Sequence, residues 1–292
     1  MNLCHLSIRE TNKLYATMKI AQELGIKIQE ETLTELMLID LKFHIEKMGL
    51  NTIIKHCNKS EEFELGTDFL WFVGSNKKKS WVAFRIQAKK LRENQKYFLK
   101  HNYKNATGSG SITRQVDKLI ENSEKNNLGD TRSIRAIPIY CFYNCLNDET
   151  LSKVTYLNQF PHIPLNKKAL SFTYTCAYHV QSLLNQPHSK KRGTTKNTFS
   201  FNELKGIPIY TLFCSNDCNK SLARSLYDTY HHYHSTFFKS RNNGWDFFFK
   251  DSTYNFTKLP SYVESLINNT KDTLEEYDRK NLPSYIMVTY ED

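Results

Sequence analysis

The sequence has no apolar run long enough to cross a membrane, and its N-terminus lacks the apolar segment that directs export. A membrane-spanning helix needs about 18 consecutive apolar residues, and no segment approaches that length. The opening segment, MNLCHLSIRETNKLY, carries Arg9, Glu10 and Lys13 where a secretory signal would be apolar. The sequence therefore predicts a cytoplasmic protein that does not contact membranes.

Cysteine is too sparse and too scattered for a disulfide framework. The chain has seven cysteines, an odd number spread over its whole length, whereas disulfide-rich proteins are typically short secreted chains with an even number. We therefore expect reduced thiols. A zinc site formed by Cys214, Cys218 and the histidines of HHYH (231–234) is a less favoured alternative, because zinc ligands usually come in closer pairs.

Acidic residues are fewer than basic ones, since 30 Asp and Glu stand against 40 Lys and Arg, leaving a formal charge of +10. Such a surface attracts polyanions, and nucleic acid is the commonest of these. The candidate phosphate-binding residues are Lys77, Lys78, Lys79, Lys90, Lys190, Lys191 and Arg192, with Tyr97, Tyr103 or Trp245 available to stack on bases. Each basic group alone could equally be a solvated loop.

Helical periodicity is clearest near the N-terminus. Apolar residues recur at helical spacing over 6–24 and 32–48, and Gly25 and Gly49 follow these segments as stop signals. Thr32 and Glu35 have the spacing of a capping box that would begin the second helix. Further helices are predicted over 94–103, 112–123 and 172–184, and the region 219–292 is predicted to be largely helical.

Aromatic and β-branched runs predict the strands. The runs FELGTDFLWFV (63–73) and WVAFRIQAKKL (81–91) should form a hairpin, and IRAIPIYCFY (134–143) is typical of a strand buried on both sides. Two further strands are predicted, in GIPIYTLFC (206–214) and IMVTY (286–290). The order helix, paired strands, helix, strand predicts an α/β fold, with an N-terminal helix (1–27), a core (28–145) and an α-rich C-terminal extension (146–292) packed on it.

The predicted hairpin has an unusual set of polar residues on its two strands. Alternate side chains share a face of a strand, so Glu64 lies beside Asp68, and Gln87 beside Lys89. A turn at 75–79 places Asp68 opposite or diagonal to Gln87. Carboxylate and amide oxygens suit Mg²⁺, and a nearby lysine suits phosphodiester hydrolysis. The alternative is that these residues form ordinary contacts on a solvent-exposed face.

These segments resemble the PD-(D/E)XK nuclease superfamily. The resemblance lies in ETLTELMLIDL (31–41), ELGTDFLWFV (64–73) and FRIQAKKL (84–91), and the Gln-x-Lys form is similar to the Mrr-like restriction branch. Over about 28–145, the order ETLT, E-x-G-x-D, QAKKL, Tyr97, QVDKLI (115–120) and IPIYCFYN (137–144) resembles an uncharacterised family of bacterial nuclease-like proteins, DUF6615.

The resemblance implies a restriction-endonuclease-like core, a central mixed sheet flanked by helices, that cleaves double-stranded DNA with Mg²⁺ or Mn²⁺. It implies Glu31, Asp68 and Gln87 as metal ligands and Lys89 as the catalytic lysine, with Glu35, Glu64 and Gln115 as secondary candidates. It also suggests a bacterial anti-phage endonuclease, acting as a homo-oligomer or with a partner defence protein. Because Gln87 is neutral where relatives carry an acid, the alternative is a catalytically inactive nucleic-acid-binding module.

Overall fold

The computed structural model describes residues 3–47, 49, 51–56, 66–104, 112–124, 135–186, 196–214, 220–238, 254, 256–268 and 283–291. Within them the α-helices are α1 (Leu3–Glu23), α2 (Glu30–Lys47), α3 (Gln115–Glu124), α4 (Asp148–Ser152), α5 (Ala177–Leu184), α6 (Phe201–Leu204), α7 (Leu222–Phe238) and α8 (Ser261–Ile267). Short 3-10 helices cover Tyr156–Gln159 and Ile209–Phe213.

The strands are β1 (Asn51–His56), β2 (Phe69–Ser75), β3 (Ser80–Lys90), β4 (Lys96–Phe98), β5 (Asn102–Lys104), β6 (Ile112–Arg114), β7 (Ile137–Tyr143), β8 (Phe172–Cys176), β9 (Thr198–Ser200), β10 (Ile207–Pro208) and β11 (Tyr285–Tyr290). Seven of them form a sheet in the order β1-β11-β2-β3-β7-β8-β10. The β2–β3 hairpin is antiparallel, and β7 and β11 run parallel to their neighbours β3 and β2. The predicted α/β fold, a central mixed sheet flanked by helices, is confirmed.

The sheet is buried on both faces because its strands are apolar at successive positions. Trp71 and Phe84 lie in a core with Tyr230 of α7, whereas Leu70 and Phe72 lie in a core with Tyr262 of α8. Burying each of these side chains contributes about 1.5–3 kcal/mol to folding. The helices therefore cover the sheet from both sides, and polar groups of the hairpin can reach water only where the strands end.

The central sheet extends across the predicted division at residue 145. Strands β8, β10 and β11 come from the C-terminal part of the chain, yet they belong to the same sheet as the hairpin. Strand β11 lies inside the sheet, between β1 and β2. The C-terminal part is therefore not an extension packed on a finished core, because it supplies three of the sheet's seven strands.

Several predicted element boundaries are also corrected. Helix α1 and the glycine stops are confirmed, since Gly25 and Gly49 have φ of 69° and 76°. Helix α2 begins at Glu30, so Thr32 lies inside it and does not cap it. The predicted helix over 94–103 is instead β4 and β5, and the one over 172–184 is half strand (β8) and half helix (α5). The predicted strand over 206–214 is mostly 3-10 helix.

A disulfide joins Cys4 to Cys214 across 210 positions of sequence, so the prediction of reduced thiols is wrong for this pair. It forms because the start of α1 packs beside the end of the 3-10 helix Ile209–Phe213, a proximity with no local sequence signal. The zinc alternative loses Cys214 to this bond, and Cys218 lies outside the described residues. Among the helices described, none is both long and apolar enough to cross a membrane.

Candidate active site at one edge of the sheet

The polar residues of the hairpin meet at one edge of the sheet. Strands β2 and β11 begin at this edge, β3 and β7 end there, and the N-terminus of α2 lies beside them. A small pocket of about 20 Å³ lies there, which is room for a single water molecule or ion. Its lining residues are Glu30, Glu31, Thr34, Glu35, Asp68, Ser284 and Tyr285. Four carboxylates therefore surround one pocket in a chain of net positive charge.

Asp68 and Gln87 face each other across the hairpin, as predicted. The register pairs Phe69 with Ile86, which places Asp68 just before β2 and opposite Gln87. Asp68 Oδ2 accepts hydrogen bonds from Gln87 Nε2 and from the Ala88 amide, each at 2.6 Å. Two donors on one carboxylate oxygen hold the Asp68 side chain in a fixed orientation.

The other end of the Gln87 amide has no partner. Gln87 is 1% exposed, and its Oε1 is buried without a hydrogen bond in the part of the chain that the structure describes. The opposite amide orientation would place Oε1 against the Asp68 carboxylate, so the orientation with Nε2 toward Asp68 is the favourable one. A buried acceptor without a donor costs about 1–3 kcal/mol. A bound cation would remove that cost.

Lys89 contacts a glutamate that the sequence analysis missed. Its Nζ donates to Glu30 Oε1 at 3.0 Å, and the backbone amide of Lys90 donates to Glu30 Oε2 at 2.8 Å. Both carboxylate oxygens of Glu30 are therefore engaged, one by the Lys89 ammonium and the other by the Lys90 amide. The predicted helix ligand, Glu31, lines the same pocket beside Asp68.

The last strand of the sheet supplies another wall that sequence reasoning did not find. Tyr285, the first residue of β11, donates its hydroxyl to Glu35 Oε1 at 2.9 Å. Thr34, one helical turn after Glu30, shares a hydrogen bond of 3.0 Å with the Tyr143 hydroxyl. Burial raises the pKa of Tyr143 well above its ordinary value, so this phenol remains protonated. The place of Thr34 in the pocket follows from helical spacing, because it lies one turn after Glu30. No local sequence pattern identifies Tyr285 as a residue of the pocket.

A glycine brings a third element to this edge. Gly66, two residues before Asp68, has a φ of 63°, and a Cβ there would lie 2.7 Å from the carbonyl oxygen of Gln115. The loop that carries Asp68 can approach the start of α3 only because residue 66 has no side chain. Gln115 begins α3, three residues after the predicted start, because 112–114 form β6, and it is 8% exposed. Glu64, the other acid of the E-x-G-x-D motif, lies outside the described residues.

A histidine lies within electrostatic reach of the lysine. Burial lowers the pKa of His101 below its ordinary value, and the positive charges of Lys89 and Arg92 lower it further. The backbone carbonyl of His101 accepts from the amide of Gln115 at 2.9 Å, which fixes the histidine beside α3. Near pH 7 this side of the site therefore carries a neutral imidazole.

The predicted nucleic-acid contacts are distributed differently. Lys77, Lys78 and Lys79 lie in the hairpin turn, roughly 25 Å along β3 from Gln87, and Lys78 pairs with Glu291 at 2.9 Å. Lys90 donates to the carbonyl of Ile28 at 2.6 Å. The prediction that Tyr97 stacks on bases is wrong, because Tyr97 is fully buried, packed against Phe142 and hydrogen-bonded to Asn144. The described residues do not include Lys190, Lys191, Arg192 or Trp245, and the side chain of Tyr103 is not described either.

The oxygen donors at this edge suit a hard divalent cation, although they are not gathered into a finished metal site. Among the described residues no group of three or more His, Cys, Asp and Glu side chains is arranged to hold a metal. Asp68 and Glu31, which line the pocket, nevertheless offer the carboxylate oxygens that Mg²⁺ and Mn²⁺ prefer. Gln87 directs its amide nitrogen at Asp68, so its Oε1 would reach a cation held by Asp68 only after the amide turns over. Mg²⁺ needs only one or two protein carboxylates when water and phosphate supply the rest.

Comparison with known protein families gives a match over almost the whole chain. The sequence profile of a protein family matches residues 3–291, and that family is described as a family of unknown function (DUF6615). No curated protein and no solved structure matches the chain. The matched region includes α2, the hairpin and β11, and so covers every element that lines the pocket.

Proposed function

The chain belongs to the DUF6615 family, and we propose that it is a nuclease that hydrolyses phosphodiester bonds of double-stranded DNA with Mg²⁺ or Mn²⁺. The observation that carries this proposal is the pair of hydrogen bonds that Asp68 accepts from Gln87 and from the amide of Ala88. Ala88 directly precedes Lys89 on β3. The motifs of the chain resemble the PD-(D/E)XK superfamily, and the contact of Asp68 with Gln87 fits that resemblance. A role in anti-phage defence rests on that resemblance alone.

Three side chains would hold the cation: Asp68, Gln87 through Oε1, and Glu31. A bound divalent ion would supply Lewis-acid activation of water and neutralise charge on the phosphate. Glu30 is a poorer ligand because Lys89 and the Lys90 amide already occupy its two oxygens. Glu31, the helix acid that the motif resemblance indicates, is therefore a better candidate ligand than Glu30.

Lys89 would act on the phosphate itself. Its side chain is only 10% exposed, and the ion pair with Glu30 fixes the ammonium at the rim of the pocket. An ammonium held in place before the reaction stabilises the negative charge that develops on a phosphate oxygen without reorganising. The formal charge of +10 favours a polyanionic substrate in the same way over longer distances.

The test is nicking of supercoiled plasmid by purified protein with Mg²⁺ or Mn²⁺ and with chelator. Asp68→Asn and Lys89→Met should each reduce the nicking rate at least about 100-fold. The matched controls are Asp148→Asn and Lys153→Met, two exposed positions of α4 and its C-terminus, which should nick like the native chain. Equal nicking by all five proteins would remove the assignment. Metal-independent DNA binding without cleavage would identify a catalytically inactive binding module instead.

A further inference from the structure

A second, larger cavity lies at the other end of the α1–α2 hairpin. Its volume is about 660 Å³, within the range of about 300–1,000 Å³ that is typical of small-molecule sites. It is formed by the first half of α1, the loop 162–169, the 3-10 helix Ile209–Phe213 and α7. It shares no lining residue with the acidic pocket, from which about 20 Å of α2 separates it.

The walls of this cavity are mostly apolar and include two tyrosine rings. Ile8, Pro164, Ala169, Tyr210 and Tyr233 supply the walls. The Cys4–Cys214 disulfide joins the two sides of the cavity, since both cysteines line it. Covalently joined walls keep the cavity open before a ligand arrives, which reduces the entropic cost of binding. Such walls fit a flat aromatic ring.

One polar group of the cavity is buried without a partner. Tyr210 is 7% exposed, and its hydroxyl has no hydrogen bond among the residues that the structure describes. Burial raises the pKa of Tyr210 to about 12, so the hydroxyl keeps its proton and can donate. The neighbouring Tyr233 hydroxyl, by contrast, is already hydrogen-bonded to His162 Nε2 at 2.6 Å. Tyr210 is therefore the donor that a ligand would satisfy.

The charge of the lining selects for an anion. Among the described residues no Asp or Glu lines the cavity, and Lys168 lies at its exposed rim. Lys168 forms no ion pair with any described residue, whereas the adjacent Lys167 pairs with Asp148 at 2.9 Å. An ammonium without a carboxylate at the mouth of an apolar cavity favours a ligand whose ring enters first and whose negative group stays at the rim.

We propose that this cavity binds a small aromatic anion, either a nucleotide or an aromatic carboxylic acid, with its ring between the tyrosines, its anionic group at Lys168 and an acceptor atom at the Tyr210 hydroxyl. This inference does not depend on the proposed nuclease activity. It assigns the chain a second binding site, remote from the acidic pocket.

The test is isothermal titration calorimetry on the full chain with two pairs of probes. AMP is compared with uncharged adenosine, and 2-naphthoate with uncharged 2-naphthylmethanol, so that the pairs separate a nucleotide from an aromatic acid. At least one anion should bind, and at least about tenfold more tightly than its uncharged counterpart. Absence of binding by both anions, or equal affinity within each pair, would overturn the proposal.

Variants then locate the site. Lys168→Met and Tyr210→Phe should each weaken binding of the anion about tenfold, and Ile8→Trp should weaken it by narrowing the cavity beside the ring. The matched control is Lys167→Met. It removes the same charge at the adjacent residue, whose side chain does not line the cavity. If Lys167→Met and Lys168→Met weaken binding equally, the anion is attracted by general surface charge and the proposed site is wrong.

Discussion

Arg85 lies in the middle of β3 with its whole side chain buried. None of its three guanidinium nitrogens has a hydrogen-bond partner among the described residues. Burial lowers its pKa to about 10, so the group is still charged at neutral pH. By the alternation of a strand, Arg85 shares a face with Gln87 and Lys89. An unpaired charge in an apolar core is strongly unfavourable, and its effect on stability is large enough to measure.

Replacing Arg85 with methionine should therefore stabilise the fold. Methionine has similar length and no charge, so we expect Arg85→Met to raise the free energy of unfolding by about 1–3 kcal/mol. Urea denaturation measures this value. Arg224→Met, at an exposed position of α7, is the control and should change stability by less than about 0.5 kcal/mol. A fall in stability for Arg85→Met would mean that the guanidinium has a stabilising partner.

His234 makes stability depend on pH. Its ring is fully buried beside Tyr230 and Tyr174, and burial lowers its pKa from the ordinary 6.5 to about 3. Between these two values the unfolded chain binds a proton that the folded chain excludes, so stability falls as pH falls below 6.5. The slope is about 1.4 kcal/mol per pH unit, which amounts to about 2 kcal/mol at pH 5.

Urea denaturation at pH 7.5, 6 and 5 tests this dependence on the native chain and on His234→Phe, which cannot bind the proton. The difference in unfolding free energy between the two proteins should change by about 2 kcal/mol over this range. His232→Phe, at an exposed position of the same helix, should keep the native pH dependence. Parallel curves for the native chain and His234→Phe would show that folding does not lower the pKa of His234.

Residue positions could be predicted where a short-range rule fixes them. A turn at 75–79 and strand alternation are enough to place Asp68 opposite or diagonal to Gln87, and the structure has this contact. The same reasoning could not choose Glu30 over Glu31 for the contact with Lys89. Adjacent helical residues point about 100° apart, and the rotation of α2 is set by burial of Leu33, Met37 and Leu38 against the rest of the fold. Only tertiary packing decides this.

The α1–α2 helical hairpin is the element that carries Glu30 and Glu31 to the pocket. Lys13 pairs with Asp40 across it, and His44 lies 3.9 Å from Glu10. The Cys4–Cys214 disulfide ties the beginning of α1 to the chain after the 3-10 helix. A cross-link over such a long loop restricts the unfolded chain strongly, and typical disulfides contribute about 2–4 kcal/mol.

Cys4→Ser should therefore lower the free energy of unfolding by about 2–4 kcal/mol under oxidising conditions. Reductant should destabilise the native chain by a similar amount and leave Cys4→Ser unchanged, because the variant lacks the Cys4–Cys214 bond. Urea denaturation with and without reductant measures both effects. A Cys141→Ser control retains the disulfide and should stay sensitive to reductant. Equal midpoints for the native chain in both conditions would contradict a stabilising role.

Elements with one dominant pattern were predicted correctly, and short or mixed ones were not. The continuous apolar run of β7 is typical of a buried strand, and the spacing of apolar residues in α1 is typical of a helix, so each pattern indicates a single type of secondary structure. Residues 94–103 look helical because they are polar, yet Tyr97 is held in β4 by pairing with Phe199 of β9. That partner lies about a hundred residues away, so no local rule can identify it. Residues 172–184 contain β8 followed at once by α5, with no turn residue to mark the change.

At the scale of the whole molecule, the sheet joins distant parts of the chain. Strand β11 pairs with β2 in parallel and with β1 in antiparallel orientation, so it fills the space between two strands of the N-terminal third. Met287 and Val288 are buried there, one toward each face of the sheet. The helix, hairpin, helix, strand order was sufficient to predict the fold class, but it contains no information about a strand inserted from the other end of the sequence.

The segment 28–145 should consequently fail to fold alone. Without β8 and β11, strand β7 would lose one neighbour, and β1 and β2 would lose the strand that joins them. We expect no cooperative urea transition for the fragment by circular dichroism, while the full chain unfolds cooperatively. A cooperative transition of the fragment would restore the separate core that the sequence suggested.

The position of β11 also sets when the acidic pocket can form on the ribosome. Translation completes the β2–β3 hairpin at Lys90, but Tyr285 follows only after nearly 200 further residues. At about 5–20 residues per second, this interval lasts roughly 10–40 s. During that time the nascent chain carries Asp68, Gln87 and Lys89 without the strand that closes the sheet beside them. If the pocket cuts DNA, the growing polypeptide cannot do so before Tyr285 has been synthesised and β11 has joined the sheet.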